Sequence, residues 1–292
     1  MEANNAKENR QYKDSMFSKL FNSPAPALGL YNALTGADYP PETGVEIVTL
    51  ENVLFLDRLN DLAFIIGGKL IVLIEHQSST TENIALRFLL YIAQEYEALT
   101  SGKHEIYKSK RYMIPKPEFI VLYNGEKSYP ARSVERLSTS YIQPDKEPGI
   151  ESTLELTATV INIHAPENAE IVERNTELLG YVRLVKLIRQ FQSEGESLRA
   201  AIRHAIRVCI ENDILTDFLH ANASEVENML VHEFSLADAK EVWTEEAFEE
   251  GREQGIEQGI ELVARNLLRS GYDAQFVSSV TGLPLGRVEE LS

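Results

Sequence analysis

The sequence predicts an α/β fold, a mixed central sheet flanked by helices with a helical C-terminal region. Three observations carry this. Residues 60–78, NDLAFIIGGKLIVLIEHQS, hold two apolar runs joined by a glycine pair, and each run is apolar on both strand faces, the pattern of a sheet covered on both sides. Strand-type runs recur at EFIVLYNG (118–125) and LELTATVINIH (154–164), with helical periodicity between them. From about Glu167 onward the periodicity is helical alone.

Element by element, residues 12–23 predict a short amphipathic helix with Met16, Phe17 and Leu20 on one side. In PAPALGLYNALTG, Pro26 can open a second helix and Gly36 can close it. VEIVTLENVLFLD (45–57) is rich in aliphatic and β-branched residues and reads as extended in part. NDLAFII and KLIVLIE are two strands. Residues 78–102 then predict a helix, with Ser79, Thr80 or Thr81 as its cap, Ile84, Phe88, Tyr91, Ile92 and Tyr96 at helical spacing, and Gly102 as its stop. Three helices are expected over 167–192, 196–221 and 224–232. An acidic helical segment follows over 236–270, in which GREQGIEQGIE repeats glycine at 251, 255 and 259. Charged neighbours around those glycines point to a soluble, self-associating helix. Two short helices around Thr281-Gly282 end the chain, a pairing more common as packing than as DNA readout. The expected domains are 12–165 as the core, 166–235 as helices packing on it, and 236–292 as the acidic helix with the small terminal unit.

The opening MEANNAKENR lacks the apolar stretch of a signal peptide, and no apolar run reaches membrane-spanning length, so no membrane partner and a cytoplasmic location are expected. The single cysteine, Cys209, sits in helical apolar surroundings and reads as a buried reduced thiol. The net charge of −17 is unevenly spread: residues 1–150 carry 16 Lys and Arg against 19 Asp and Glu, and residues 151–292 carry 12 against 26. The nearly balanced first half holds a basic cluster, Lys103, His104, Lys108, Lys110 and Arg111, which reads either as a phosphate-binding face or as a solvated loop.

The chemistry centres on the hairpin. A three-residue turn at Gly67-Gly68-Lys69 pairs Ile66 with Leu70 and hence Asp61 with Glu75, their Cβ atoms about 5 Å apart on one face, with Gln77 on that same face. A two-residue turn sends the two acids to opposite faces. In the longer-turn register Asp61, Ala63, Ile65, Ile71, Leu73, Glu75 and Gln77 share one face. Leu62, Phe64, Ile66, Leu70, Val72, Ile74 and His76 share the other. Two adjacent carboxylates repel, and a divalent cation between them relieves the repulsion; oxygen ligands of this kind suit Mg²⁺. The alternative is that both acids are strand-end residues facing water. Ser78 beside His76 lacks a third orienting group and reads as a helix cap rather than a nucleophile.

Asp61, LIEHQSS, the arginine in IALRFLLYI, LYNALTGADY, EFIVLYNG and the glycine-repeat helix together resemble the Rpn-type recombination-promoting nucleases, also called YhgA-like proteins, of the PD-(D/E)xK nuclease superfamily. The resemblance spans roughly residues 12–292 and EHQS is its most specific part. It implies a restriction-endonuclease-like core, Mg²⁺ (or Mn²⁺) on Asp61 and Glu75 with the carbonyl of His76 as a third ligand, DNA as substrate, and catalysis by Asp61, Glu75 and Gln77. The superfamily lysine falls at Gln77, as in Rpn-type members. Arg87 is a candidate substrate contact, or else a helix-surface cation paired near Glu82 or Asn83. Lys108, Lys110 and Arg111 are expected to hold DNA. An additional acid is expected from Asp14, Glu46 or Glu51, with the choice open, and Asp57 is read as closing the preceding strand. A dimer through residues 245–265 would suit cutting of both strands.

Overall fold

The hairpin forms with the longer turn. In the computed structural model, β2 (Asp61–Ile66) and β3 (Leu70–Gln77) pair antiparallel from Ile66–Leu70 through to Asp61–Glu75. Gly67 and Gly68 hold φ of 56° and 66°. A side chain in that left-handed region costs about 1–2 kcal/mol, so two glycines permit the connection and thereby set the register. The structure describes residues 15–48, 61–68, 70–77, 82–102, 104–142 and 153–291, with backbone alone for Asp61, Ile71, Leu73, Glu75, Glu105 and 236–257.

Around the hairpin the sheet grows to six strands. β1 (Val45–Val48) adds antiparallel to β2, and β4 (Lys116–Tyr123) adds parallel to β3 after the crossover helix α3 (Ile84–Thr100). β6 (Thr157–Asn162) is parallel to β4, and β5 (Arg132–Arg136) closes the edge antiparallel to β6. The order is β1-β2-β3-β4-β6-β5, a mixed sheet.

Residue parity sorts the faces as expected. Leu62, Phe64, Ile66, Leu70, Val72 and Ile74 join one core with α1 (Met16–Phe21), α2 (Pro24–Thr35), α5 (Thr176–Ser193) and α6 (Leu198–Glu211). Ala63 and Ile65 join a second core with Phe88, Tyr91 and Ile92 of α3. Helices thus cover both faces. The helices between residues 166 and 234, including α4 (Ala169–Glu173), share the first core with the sheet, through Val172, Leu178 and Ile202.

Several local expectations shift. Ser79, Thr80, Thr81, Asp14, Glu51, Asp57 and Lys103 lie outside the described residues. Helix α3 starts at Ile84 with Asn83 at the N-cap position. The expected start at Pro26 moves to Pro24, because Ser23 is extended and Pro24 occupies the first helical position. Strand β5 was invisible in sequence: RSVER has one apolar residue, Val134, which is exposed, and the ladder to β6 alone makes it a strand. The helical break expected near 222–223 falls instead at 212–215, where Asp213 and Leu215 adopt φ of 56° and 50°. Helix α7 then runs unbroken from Thr216 to Arg269.

The chain divides into two compact units, Met1–Phe234 and Ser235–Ser292. In the second, α8 (Ala274–Thr281) and α9 (Leu285–Glu290) surround a small core of Ala264, Val277 and Val288. Asp273 caps α8 by accepting from Phe276 N at 2.8 Å.

Candidate active site

Strand alternation places Asp61 and Glu75 as direct cross-strand partners at one end of the hairpin, and Gln77 two residues further along β3. The parallel ladder to β4 aligns Gln77 with Tyr123, and the Gln77 carbonyl accepts from Asn124 N at 2.9 Å. Gln77 is half-buried and lines a cleft of about 550 Å³ together with Glu82 and Asn83 before α3, Tyr123 on β4, Tyr129, and Glu135 on β5. The carboxylates in this cleft repel a phosphate unless a cation sits with them.

His76 faces the other way. Its ring stacks on Phe17 with centroids 4.6 Å apart and meets the Tyr181 hydroxyl through Nε2 at 3.1 Å. Burial, with His164 and Arg189 nearby, pushes its pKa down to about 3, so the ring is neutral. Its side chain is a core element, and only its backbone carbonyl remains as the expected ligand.

Of the other expected residues, Arg87 lies on α3, the helix covering the face to which Asp61, Glu75 and Gln77 belong by parity. Its guanidinium donates to the Tyr91 hydroxyl at 3.0 Å from Nη2. Lys108, Lys110 and Arg111 follow the C-terminal end of α3 and precede β4, whose first residue aligns with Leu70. They therefore belong to the loop that leads into β4, and the first residue of β4 lies about 23 Å along the strands from Gln77, at a rise of about 3.3 Å per residue. Glu46 partners Ile65, four residues along β2 from Asp61, so about 13 Å separates it from the acid pair. Among the described residues no group of three His, Cys, Asp or Glu is gathered to hold a metal. The donor set at the hairpin end is two carboxylates plus backbone oxygen, which fits a hard cation that retains waters. Cys209 is buried, with its thiol pKa pushed up to about 11 by burial, and is a packing residue.

The strand ends carry a polar network that sequence reading missed. His164 Nε2 meets Asn124 Oδ1 at 2.5 Å, Asn124 Nδ2 donates to the Tyr181 hydroxyl at 3.0 Å, and Tyr181 reaches His76. Asn124 Nδ2 gives its hydrogen to the Tyr181 hydroxyl, which gives its own to His76 Nε2. Arg189 on α5 donates to the Asn124 carbonyl at 2.5 Å. These partners lie on β3, β4, the end of β6 and α5, and only two asparagine and histidine residues just past strand ends signalled them.

The site thus defines a class: a mixed α/β protein with two acids paired across a hairpin end and an amide beside a cleft. The model described as "Putative transposase, YhgA-like" matches residues 54–211, more than half of the chain, and the chain belongs to this YhgA-like family. The match includes Asp61, Glu75, Gln77 and Arg87 and points to a nuclease or transposase type of role. No curated protein and no solved structure matches the chain. No helix among the described residues is long and apolar enough to cross a membrane.

Proposed function

We propose that the protein is a Mg²⁺-dependent DNA endonuclease with a restriction-endonuclease-like core. The single observation that carries this reading is the register that partners Asp61 with Glu75 and sets Gln77 on the same parity beside a cleft. Asp61 and Glu75 would hold Mg²⁺ or Mn²⁺, with the His76 carbonyl as a third oxygen. When bound, the ion supplies Lewis-acid stabilisation at a phosphodiester and makes water a stronger nucleophile. Gln77 orients the attacking water or the scissile phosphate through its neutral donor and acceptor; it cannot supply the positive charge of a lysine. Arg87 is held by Tyr91 on the helix above that face. Lys108, Lys110 and Arg111, in the loop before β4, would meet the duplex backbone. A dimer through residues 245–265 would deliver two cuts.

The test is plasmid nicking with Mg²⁺ against EDTA, for the native chain and for Asp61→Ala and Glu75→Ala. Cleavage that needs Mg²⁺ and is lost in both variants is expected; equal cleavage by the variants would sink the reading. A second reading is a nuclease-fold regulatory module that does not cut. The glutamine at the lysine position and the overall acidity favour it, and native chain inert across a range of salt concentrations would select it.

A further inference from the structure

Arg189 is the least accounted-for charge in the first unit. Its side chain is only 21% exposed, in a protein of net charge −17. Burial lowers its pKa from the usual arginine value, so the folded chain bears a real desolvation cost to keep this cation at the sheet rim. Two of its three nitrogens are engaged: Nη2 donates to the Asn124 carbonyl at 2.5 Å, and Nη1 lies 3.1 Å from His164 Nε2. A guanidinium nitrogen only donates, so Nη1 gives its hydrogen to the His164 Nε2 lone pair. His164 is pushed down to about 4, first by burial and then by Arg189, so it stays neutral and adds no second charge.

The remaining nitrogen, Nε, has Glu126 Oε1 at 2.8 Å, an ion pair by distance. The same Nε is buried with no aligned hydrogen-bond partner. The carboxylate neutralises the guanidinium without taking its N–H along a good hydrogen-bond line. The Glu126 side chain is 70% exposed, and an ion pair to so exposed a carboxylate is worth little. A buried guanidinium with an unsatisfied donor and a weakly held surface carboxylate is an exchangeable anion site.

Its place in the fold indicates which anion. Asn124 and His164 follow the carboxyl ends of the parallel strands β4 and β6, beside the end of β3 that carries Gln77. Ligands of open α/β sheets collect at this rim. Two strand spacings separate the ends of β3 and β6, about 10 Å, or about three nucleotide steps. We propose that Arg189, backed by His164, binds a phosphate oxygen in place of Glu126, and that the phosphate belongs to a nucleic-acid strand crossing the rim near Gln77. The inference rests on the nuclease reading only for the source of the phosphate.

The experiment measures binding of labelled duplex oligonucleotide by anisotropy in EDTA across a KCl series, and stabilisation by inorganic phosphate in thermal melts. Glu126→Ala should bind the oligonucleotide several-fold more tightly, and its slope of log K against log salt should steepen by about 0.9. Glu167→Ala removes an equal exposed charge three residues from His164 and controls for a general effect. Arg189→Met should weaken binding and flatten the slope; if it fails to fold, Glu126→Ala alone decides. A gain toward inorganic phosphate without a gain toward oligonucleotide identifies free phosphate as the ligand and removes the nucleic-acid half of the proposal. No gain toward either, no binding by any form, or an equal gain in Glu167→Ala overturns the site. Because EDTA blocks cleavage, a gain in an enzyme that never cuts sinks the nuclease reading and leaves this site standing.

Discussion

At the residue scale, His76 and Gln77 are neighbours with opposite fates. Strand parity turns His76 into the core against Phe17 and leaves Gln77 at the cleft. The unfolded chain protonates His76 near pH 6.5, and the folded chain resists to about 3. In that window the folded state binds fewer protons, so stability falls as the pH falls from 6.5 toward 3. His164, lowered to about 4, acts in the same sense. Glu233, half-buried and accepting from Met16 N at 2.8 Å, is raised by desolvation to about 7 and opposes them between 4.5 and 7. Two protons outweigh one, so the melting temperature should drop between pH 6 and about 4.5. His76→Phe should remove one proton from that slope, at a cost of about 1–3 kcal/mol at pH 7 for the Tyr181 hydroxyl left without its acceptor. Calorimetry over a pH series checks both; a slope unchanged in His76→Phe contradicts the assignment. For Gln77→Ala, cleavage should fall about 10²-fold with the fold intact, the scale of losing one positioned donor; rates from nicking time courses with unchanged melting would bear this out.

At the element scale the hairpin turn sets the site. Deleting Gly68 leaves two connecting residues and slips the register by one, which moves Glu75 off the parity of Asp61 and turns apolar β3 residues outward. Loss of Mg²⁺-dependent cleavage together with a large drop in stability is expected, read by nicking and by urea unfolding. A second element-level contact is the close approach of α5 to the 212–215 break. A Cβ on Gly180 would lie 2.6 Å from Leu215 Cγ. Gly180→Ala should cost about 1–3 kcal/mol, and Leu215→Ala in the same chain should recover part of it. Additive losses in the double variant would show the two positions to be uncoupled. The turn residues were legible as sequence; the Gly180–Leu215 contact was not, because it joins residues 35 apart through a backbone turn with positive φ at Asp213 and Leu215.

At the scale of the whole molecule, acid and base are segregated along the chain, and the second unit, Ser235–Ser292, holds the glycine-repeat segment within α7. A chain ending at residue 240 should sediment as a monomer and the full chain as a dimer; identical masses would remove that helix from assembly. Nucleic-acid binding by so acidic a protein should be local and shallow in salt, since only a few cations face phosphates against a repulsive background.

Sequence alone determined the hairpin and its face alternation, because strand geometry has a strict period of two and a glycine pair marks the turn, while the turn length that partners Asp61 with Glu75 was decided by the structure. Sequence also determined the covered sheet, since apolar residues on both faces have no other stable place. Tertiary structure decided what lay beyond local periodicity. It made RSVER a strand by pairing it with β6, and it moved the helix break to 212–215. It gathered His76, Asn124, His164, Tyr181 and Arg189 into one network. Those contacts join residues as many as 105 positions apart, and such pairings are set by how the helices cover the sheet, which no local pattern encodes.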